Sequence, residues 1–378
     1  MRSVYRAGII GCGVMGKAHA RAYQSLESVE LVAASDPLER ATQMMRSEFA
    51  VPRTYSDYRE MLSKEQLDLV SVCTWHLLHA EQTIAAAQHG PKGIICEKPM
   101  ASCMENADAM IEACEQRGVK LAIAHQRRFY RSWTTARELI RDGALGRPLM
   151  VTARSGEGLL NCGTHAVDAM RYLMGDQEVD WVVGAVERKT DRYEREVRIE
   201  DSCMALITFK NGSQGLMQSD LTPQWSVDNY SVRGEDGIMD ITARGVRLLR
   251  NSGGWEQTDT EYGEPWVCQA QELMDWIEGK CEHRNAARQS RQTLEVLMAL
   301  YQSARDHEVV RMPLAVGEYP LDLMYAEGKI PVCEQGKYDI RAFLAMEEAD
   351  YKTYTELRRE GVGHKQILEQ MGKLTNGG

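Results

Sequence analysis

A glycine-rich loop near the start of the chain places the strongest constraint on its fold. The loop, Gly11-Cys12-Gly13-Val14-Met15-Gly16, follows a short apolar segment, Tyr5 to Ile10, and opens a helical pattern, Val14 to Gln24. Asp36 ends a second apolar segment, Glu30 to Ser35, and lies twenty residues beyond Gly16. A strand, a glycine loop, a helix and a later acidic residue at this spacing are typical of a dinucleotide-binding βαβ unit. The alternative interpretation is a purely structural glycine-rich turn in some other α/β protein.

Each glycine of the loop has a separate physical role. Gly11 permits a tight turn, Gly13 lets the backbone approach a pyrophosphate, and Gly16 allows the helix to pack closely on the strand. The pyrophosphate would lie at the helix N-terminus, where free N–H groups favour negative charge. Asp36 would accept hydrogen bonds from the adenosine ribose and repel a 2′-phosphate, and no arginine follows it before Arg40. The pattern therefore predicts NAD as cofactor rather than NADP.

Strands and helices alternate throughout residues 1–124, which we predict to be one Rossmann domain. Continuous apolar strands in such an alternation indicate a parallel sheet that is covered on both faces. The later strands are Leu69 to Thr74, Gly93 to Cys96 and Val119 to Ala124, and the helices between them are Leu78 to His89 and Ser102 to Arg117. Ligands bind beyond the carboxyl ends of such strands. Polar residues stand at three of these ends: Thr74, Glu97-Lys98 and His125.

The pattern changes after about residue 145 and predicts a second α/β domain, residues 125–312, with a largely antiparallel open sheet. Asn211-Gly212 is a strong tight-hairpin signal between two of its strands. The predicted strands are Pro148 to Ser155, Val179 to Val186, Asp201 to Phe209, Ser213 to Leu221, Tyr230 to Arg233 and Gly237 to Thr242. The predicted helices are His165 to Leu173, Cys268 to Ile277 and Ser290 to Ala304. Residues 313–378 are predicted to form a C-terminal extension, irregular over Leu323 to Lys337 and helical over Asp339 to Arg359 and His364 to Met371.

Composition and charge exclude several classes of partner. The formal net charge is −10 and the pI is near 5.5, which disfavours nucleic acid or an anionic membrane as partner. No apolar run approaches the roughly 18 residues needed to span a bilayer, and no signal-peptide core precedes the first strand. The ten cysteines form no Cys-x-x-Cys pair, and Cys73 and Cys96 fall in predicted buried strands. We interpret them as reduced core residues of a cytoplasmic protein, without a disulfide framework or a metal site.

Lys98 is the first candidate catalytic residue. It stands between Glu97 and Pro99 at a strand end, and the proline biases Lys98 toward an extended backbone, so that its side chain can be aimed. An ammonium group beside a substrate hydroxyl can donate a hydrogen bond to it and stabilise a developing alkoxide, and partial burial would lower the pKa of the amine. The alternative interpretation is a solvated loop lysine.

A second group of candidates lies in the segment Asn161 to Asp168. His165 opens a helix, and its imidazole has a pKa suited to taking a proton as a hydride leaves the substrate. Asp168, one turn further on, would orient His165 and belong to the substrate-binding residues, and Asn161 would hold a substrate oxygen. The alternatives are a capping or buried histidine at 165 and an ordinary surface acid at 168.

Residues at the junction of the two predicted domains are further candidates. His125 would face the substrate. Arg127 and Arg128 would bind hydroxyls or a carboxylate, or would pair with acids between the domains, which is the interpretation we favour. Trp225, Trp255 and Trp266 would form either a sugar-stacking wall or part of the core.

The cofactor set extends beyond the glycine loop. Trp75 and His76 follow the Leu69 to Thr74 strand and would lie against a nicotinamide ring. The residues predicted to contact the cofactor are Gly11, Gly13, Val14, Met15, Gly16, Asp36, Thr74, Trp75, His76, His79, Glu97 and Lys98.

These features together resemble the glucose–fructose oxidoreductase / inositol dehydrogenase / MocA (Gfo/Idh/MocA) family. The resemblance covers about residues 4 to 312, and it is carried by the glycine loop with His19 and Tyr23 after it, Asp36, Glu97-Lys98-Pro99 and Gly163 to Asp168. It implies hydride transfer between a sugar-like secondary alcohol and nicotinamide C4, in a Rossmann domain followed by an α/β domain. The open sheet of that second domain often forms the interface of a homo-oligomer, which implies a dimer or tetramer here. The family's lysine falls on Lys98 and its histidine acid/base on His165.

Three features depart from the family pattern. The family usually has an aspartate four residues before the histidine, where this chain has Asn161. Since an amide accepts no proton, proton transfer would fall to His165 and Lys98. Some relatives that act at C3 of a pyranose carry such an asparagine, which favours oxidation at C3. Trp75-His76 stands where the family often has Pro-Asn, and the tail beyond Pro313 is longer than in many relatives.

Three hypotheses of function follow. The first is an NAD-dependent oxidoreductase acting on a ring secondary hydroxyl of a sugar, glycoside or cyclitol. The second is a glycosidase or lyase that uses tightly held NAD in an oxidation–elimination–reduction cycle, which net formation of NADH would distinguish from the first. The third is a non-catalytic NAD(H)-binding sensor, which would need neither Lys98 nor His165.

Overall fold

The computed structural model describes residues 4–221, 230–251 and 253–340, with nine isolated positions between 353 and 371. Trp225 lies outside the described residues. So does most of the two predicted C-terminal helices, Asp339 to Arg359 and His364 to Met371.

The N-terminal half forms a six-stranded parallel sheet in the order β3-β2-β1-β4-β5-β6, which is the doubly wound arrangement predicted from the sequence. Its strands are β1 (Tyr5–Ile10), β2 (Val29–Ser35), β3 (Arg53–Tyr55), β4 (Leu69–Val72), β5 (Gly93–Cys96) and β6 (Lys120–Ile123). Its helices are α1 (Val14–Gln24), α2 (Glu39–Phe49), α3 (Tyr58–Lys64), α4 (His79–Gln88) and α5 (Met104–Gln116).

The second half is built on a nine-stranded sheet in which only β12 and β7 pair in parallel among the strands described, so the prediction of a largely antiparallel sheet is confirmed. Two helices accompany its first strands. Helix α6 (Arg131–Arg141) precedes the first strand, and helix α7 (Thr164–Leu173) lies between the first strand and the second. The strands run in the order β16-β15-β14-β13-β7-β12-β11-β8-β17. Their ranges are β7 (Pro148–Ser155), β8 (Val179–Glu187), β11 (Ser202–Phe209), β12 (Gln214–Ser219), β13 (Tyr230–Gly234), β14 (Gly237–Thr242), β15 (Gly245–Arg250), β16 (Trp255–Asp259) and β17 (Val310–Arg311).

Two long helices join the halves of the molecule. α8 (Pro265–Ile277), which begins with a proline at its first position, packs its buried Leu273 and Met274 against the core of the first sheet. α9 (Ala287–Asp306) lies between β8 and the helices α5 and α7. Lys98, which follows β5 at the carboxyl end of the first sheet, donates hydrogen bonds to Asn161 just before α7, so the candidate active site lies at this junction.

The start of the C-terminal extension is regular, so the prediction that Leu323 to Lys337 is irregular is wrong. α10 (Pro320–Ala326) packs on α9, and β18 (Glu334–Asp339) pairs with β9 (Thr190–Glu194), which pairs with β10 (Val197–Arg198). The hydrophobic pattern misses these elements because both strands at the edges of this small sheet are short and polar.

None of the helices in the described parts of the chain is long and apolar enough to cross a membrane. Within the same residues, no cluster of three or more histidine, cysteine or acidic side chains is placed to hold a metal ion. The ten cysteines are free thiols; Cys73 and Cys96 are buried, whereas Cys268, Cys281 and Cys333 are exposed.

Candidate active site

The glycine loop has the geometry that its sequence predicts. Gly11 has φ +92°, and a Cβ on Gly16 would lie 2.1 Å from the carbonyl oxygen of Gly11, so neither position accepts a side chain without movement. A Cβ on Gly13 would meet nothing within 4 Å, which leaves open space beside the N-terminus of α1. Val14 is exposed at this helix end. The loop thus fits a pyrophosphate in both shape and polarity.

Asp36 faces the glycine loop from the end of β2. Its Oδ2 accepts a hydrogen bond from the backbone N–H of Cys12 at 2.8 Å, and its Oδ1 accepts one from the N–H of Leu38 at 2.9 Å. These bonds hold the carboxylate beside the glycine loop and leave each oxygen a further lone pair for a ribose hydroxyl.

The residues after β4 separate into exposed and buried positions. Trp75 is 41% exposed, whereas His76 and His79 are buried. The ring nitrogens of His79 lie 2.8 Å from the carbonyl oxygen of Pro99 and 3.1 Å from that of Thr74. His79 therefore fastens the loop after β4 to the segment after β5, where Lys98 lies. Burial lowers the pKa of His79, and its two carbonyl partners, which both need an N–H donor, act in the opposite direction.

A buried hydrogen-bond chain lies beneath Lys98. His19 contacts the Glu97 carboxylate at 3.2 Å and the Ser71 hydroxyl at 2.9 Å, and Tyr23 contacts the same hydroxyl at 2.7 Å. Although burial by itself would raise the pKa of Glu97, its bond to His19 and the nearby positive charges hold that pKa below the usual range. An ionised Glu97 is thus fixed next to Lys98 by side chains from α1 and β4.

Lys98 crosses from the end of β5 to the segment before α7. Its Nζ donates to the main-chain oxygen of Asn161 at 2.9 Å and to the side-chain oxygen of the same residue at 3.1 Å. Burial lowers the pKa of Lys98. The Lys98–Pro99 peptide bond is cis. The solvated-lysine alternative does not describe this side chain.

Two carboxylates hold the segment that carries Asn161. Asp220 accepts hydrogen bonds from the N–H groups of Glu157 and Gly158, both at 2.8 Å, and Glu200 accepts one from Leu159 at 2.6 Å. The segment then makes a π-helical turn, Leu159–Gly163, which runs directly into α7. Sequence reasoning did not identify these acids, because their bonds join residues 41 to 63 positions apart.

Glu157 adds a carboxylate that the sequence analysis also missed. Its Oε2 lies 3.5 Å from Nδ2 of Asn161 and 3.6 Å from Sγ of Cys162. Glu157 has φ +62°, a backbone conformation that costs a side-chain-bearing residue about 1 kcal/mol. This conformation places the Glu157 carboxyl group beside the Asn161 amide.

His165 lies at the start of α7 beside Lys98. It is 5% exposed, and its Nδ1 has no hydrogen-bond partner among the described residues. Burial holds its pKa well below the usual range, and Arg127, Lys98 and His125 lower it further. His165 is therefore neutral at pH 7 and able to accept a proton.

Asp168 does not orient His165, contrary to the sequence-based expectation. Its carboxylate accepts two hydrogen bonds from Arg128, at 2.7 and 2.8 Å, and one from Thr293 at 3.0 Å, and it lies 3.7 Å from Nδ1 of His125. One helical turn separates Asp168 from His165 along α7, but the partners of Asp168 come from α9 and from a short 3₁₀ helix, Gln126–Phe129. Arg128 also pairs with Asp176, so it has the structural role that we favoured, although both acids lie within residues 125–312 and not in the first domain.

His125 stands behind His165. Their rings meet edge to face with centroids 5.8 Å apart, and the ring nitrogens of His125 contact Thr164 at 3.0 Å and Ser290 at 3.3 Å. Burial lowers the pKa of His125 to about 4. Direct contact of His125 or Asp168 with a substrate would require the side chain to leave its present partners, so both are placed to support His165 and its helix.

The aromatic candidates lie apart from this group. Trp255 is on the outermost strand, β16, with the guanidinium group of Arg247 4.5 Å from its ring centroid. Trp266 lies on α8, which packs on the first sheet. Trp255 and Trp266 therefore do not form a wall beside Lys98.

Comparisons with known proteins agree on one family. Residues 5–125 match the family described as "Oxidoreductase family, NAD-binding Rossmann fold", and residues 137–312 match its C-terminal alpha/beta domain. D-apiose dehydrogenase of Paraburkholderia graminis is 27% identical over 86% of this chain and 94% of the relative. Myo-inositol 2-dehydrogenase of Thermotoga maritima is 29% identical over 57% of this chain and 68% of the relative. A solved levoglucosan dehydrogenase in complex with NADH and levoglucosan shares the fold, with a TM-score of 0.75, 21% identity and coverage of 82% of this chain and 100% of that one.

Proposed function

The chain belongs to the Gfo/Idh/MocA oxidoreductase family, and from this premise we propose that it is an NAD-dependent dehydrogenase acting on a ring secondary hydroxyl of a sugar, glycoside or cyclitol. Family membership establishes an NAD-binding oxidoreductase. The relatives named for D-apiose and myo-inositol support a polyhydroxylated substrate.

One observation carries the proposal. The ammonium group of Lys98, fixed by two bonds to Asn161, lies at the carboxyl end of the sheet together with a buried, neutral His165. A hydrogen-bond donor and a proton acceptor at one site are what oxidation of an alcohol requires. A sensor that only binds NAD(H) has no use for either.

The residues divide the chemistry between them. Bound NAD⁺ supplies the hydride acceptor. Lys98 donates a hydrogen bond to the substrate hydroxyl and stabilises negative charge on its oxygen, and His165 accepts the hydroxyl proton. Asn161 fixes the direction of the Lys98 side chain, and His125 packs against the His165 ring.

The exposed face of the large sheet supports a homo-oligomer. Val183 on β8 and Met204 on β11 are 39% and 46% exposed, on neighbouring strands of the same sheet. A second copy of the chain on this face, as a dimer or tetramer, would remove these apolar side chains from water. Light scattering of the purified protein tests this assembly, and a Met204→Glu variant should weaken it.

The decisive experiment incubates the purified protein with NAD⁺ and a panel of cyclitols, free sugars and glycosides, followed by NADH absorbance and product analysis. Net NADH together with a keto product supports a dehydrogenase, and the position of the keto group tests the suggested oxidation at C3. Release of an aglycone without net NADH would instead support the oxidation–elimination–reduction cycle. Binding of NADH with no turnover of any compound would contradict the proposal.

A further inference from the structure

The chain beyond the family match folds back toward the active site. The match to the C-terminal domain ends at residue 312, and residues 313–340 continue as α10 and β18. β18 pairs in parallel with β9, and Cys333 and Glu334 donate backbone hydrogen bonds to the carbonyl oxygen of Lys189, at 2.7 and 2.9 Å. The β9–β10 hairpin is therefore held by a segment that follows the part of the chain matched to the family domains.

The extension also binds the hairpin turn. Arg195 and Glu196 form a two-residue turn with φ values of +49° and +68°. The carboxylate of Asp339 accepts a hydrogen bond from each of their backbone N–H groups, at 3.2 and 3.1 Å. Lys337 forms an ion pair with Glu196. A turn with two strained, non-glycine residues thus depends on β18 for its bonds.

A second hold lies at the base of the hairpin. Tyr319 donates a hydrogen bond to the carbonyl oxygen of Arg198 at 2.9 Å, and Asp322 forms an ion pair with the Arg198 guanidinium. The ring of Tyr325 lies 4.0 Å from the same guanidinium. The three contacts come from α10 and the residue before it. Both α10 and β18 of the extension therefore contact the hairpin.

The hairpin places charged side chains next to the N-terminal domain. Glu194 is fully buried, with its Oε2 3.4 Å from Nδ1 of His76 and its Oε1 3.3 Å from Nη1 of Arg195. His76 is itself buried, after β4. The ring nitrogens of His76 and both oxygens of Glu194 lack a well-aligned hydrogen bond among the described residues. Polar atoms buried in this way are costly unless another group pairs with them.

We propose that residues 313–340 complete the active site, by holding the β9–β10 hairpin so that Glu194 and Arg195 set the charge beside His76 and Lys98. Asp339 acts through the hairpin and is a positioning residue. The inference rests on the proposed function only where turnover is the readout.

The two charged hairpin residues have opposite effects on the pKa of Lys98. Burial has the largest influence on the pKa of Lys98 and lowers it. Arg195 also lowers this pKa, whereas Glu194 raises it. The other titratable groups that act on Lys98, or that Lys98 acts on, are Glu97, Cys162, His76, His125 and His165. Neutralising one hairpin residue at a time therefore isolates its contribution.

The first test compares Asp339→Ala with Glu327→Ala in the full chain. Glu327 lies in the same extension but pairs with Arg305 of α9, away from the hairpin. Asp339→Ala should lower kcat/KM about tenfold, the scale of two lost hydrogen bonds, and should speed hydrogen–deuterium exchange across residues 190–198. Glu327→Ala should change neither. If residues 190–198 of Asp339→Ala exchange hydrogen for deuterium at the wild-type rate, the proposal is overturned. This result does not depend on knowing the substrate.

The second test measures pH–rate profiles of Arg195→Ala and Glu194→Gln. If Lys98 works as an ammonium donor, activity falls as pH rises through its pKa. Arg195→Ala should move this basic limb to higher pH and Glu194→Gln should move it to lower pH. Shifts in one common direction, or no shift in either variant, would refute a role for the hairpin at Lys98. Absence of turnover in the wild-type protein would instead count against the proposed function and would leave the exchange experiment to decide on the hairpin.

Discussion

Lys98 and Asn161 are joined by two hydrogen bonds, from Nζ to the main-chain oxygen at 2.9 Å and to the side-chain oxygen at 3.1 Å. The other end of the Asn161 amide, Nδ2, points at the Glu157 carboxylate, 3.5 Å away. The side chain at this position must accept from a cation on one side and donate to an anion on the other, which an amide does and a carboxylate does not. The departure from the family pattern at position 161 therefore fits the presence of Glu157 one turn earlier.

Asn161→Asp should lower kcat/KM about tenfold, because two carboxylates would then face each other at hydrogen-bonding distance. The double variant Asn161→Asp, Glu157→Gln restores a donor opposite an acceptor and should recover most of the loss. Steady-state kinetics of wild type, both single variants and the double variant measure this coupling. Purely additive effects would show that Glu157 and Asn161 do not act together.

Lys98→Met should retain NADH binding and lose at least about a hundredfold in kcat, since the substitution removes a charged donor aimed at the developing alkoxide. The methionine keeps the unbranched chain up to the position of Cε and removes only the ammonium group. Titration of NADH fluorescence gives the binding constant, and Lys64→Met on the exposed face of α3 serves as control. Turnover near the wild-type rate would mean that Lys98 does not touch the substrate.

His165→Asn should lower kcat by about 10²–10⁴-fold, the usual contribution of a positioned base. The wild-type pH profile provides a second check. Burial and nearby positive charge hold the pKa of His165 well below its ordinary value, so the neutral base persists as pH falls past the normal range of an imidazole. The oxidative rate should therefore fall only at pH values below that range. An acidic limb centred at or above it, under conditions where chemistry limits the rate, would argue against His165 as the base.

The sequence predicts those parts of the site that depend on local pattern. The β1–α1 boundaries follow from the apolar run and the glycine loop, and Lys98 is found from its position at a strand end. The partner of Asp168 could not be predicted, because Arg128 comes from a different segment and reaches it only in the folded chain. The roles of Glu200 and Asp220 escape prediction for the same reason, since they bind backbone N–H groups far away in sequence.

The cofactor preference depends on Asp36. Its carboxylate is held by Cys12 and Leu38 at the mouth of the glycine loop, so a 2′-phosphate there would meet a fixed negative charge. NAD⁺ should bind at least about tenfold more tightly than NADP⁺, a difference of about 1.4 kcal/mol. Calorimetry with both cofactors measures the ratio, and Asp36→Ser should reduce it. Equal affinities in the wild-type protein would remove Asp36 from the recognition of the ribose.

The buried pair of Asp168 and Arg128 should govern stability in acid. The guanidinium lowers the pKa of Asp168 to about 2 from the ordinary 3.8, although burial alone would raise it. Because the folded pKa lies below the unfolded one, the ionised carboxylate stabilises the fold above about pH 4, by about 2 kcal/mol, and this contribution disappears as pH falls toward 2.

Asp168→Asn should lower the free energy of unfolding at pH 7 by about 3 kcal/mol, since it leaves Arg128 buried with only Asp176 as ionic partner. The matched control is Asp142→Asn, whose pair with Arg141 is exposed and should contribute less than about 1 kcal/mol. Urea unfolding at pH 7 and pH 3 tests both points: the gap between wild type and Asp168→Asn should narrow in acid, and a gap of equal size at the two values would mean that the carboxylate charge is not what stabilises this part of the fold.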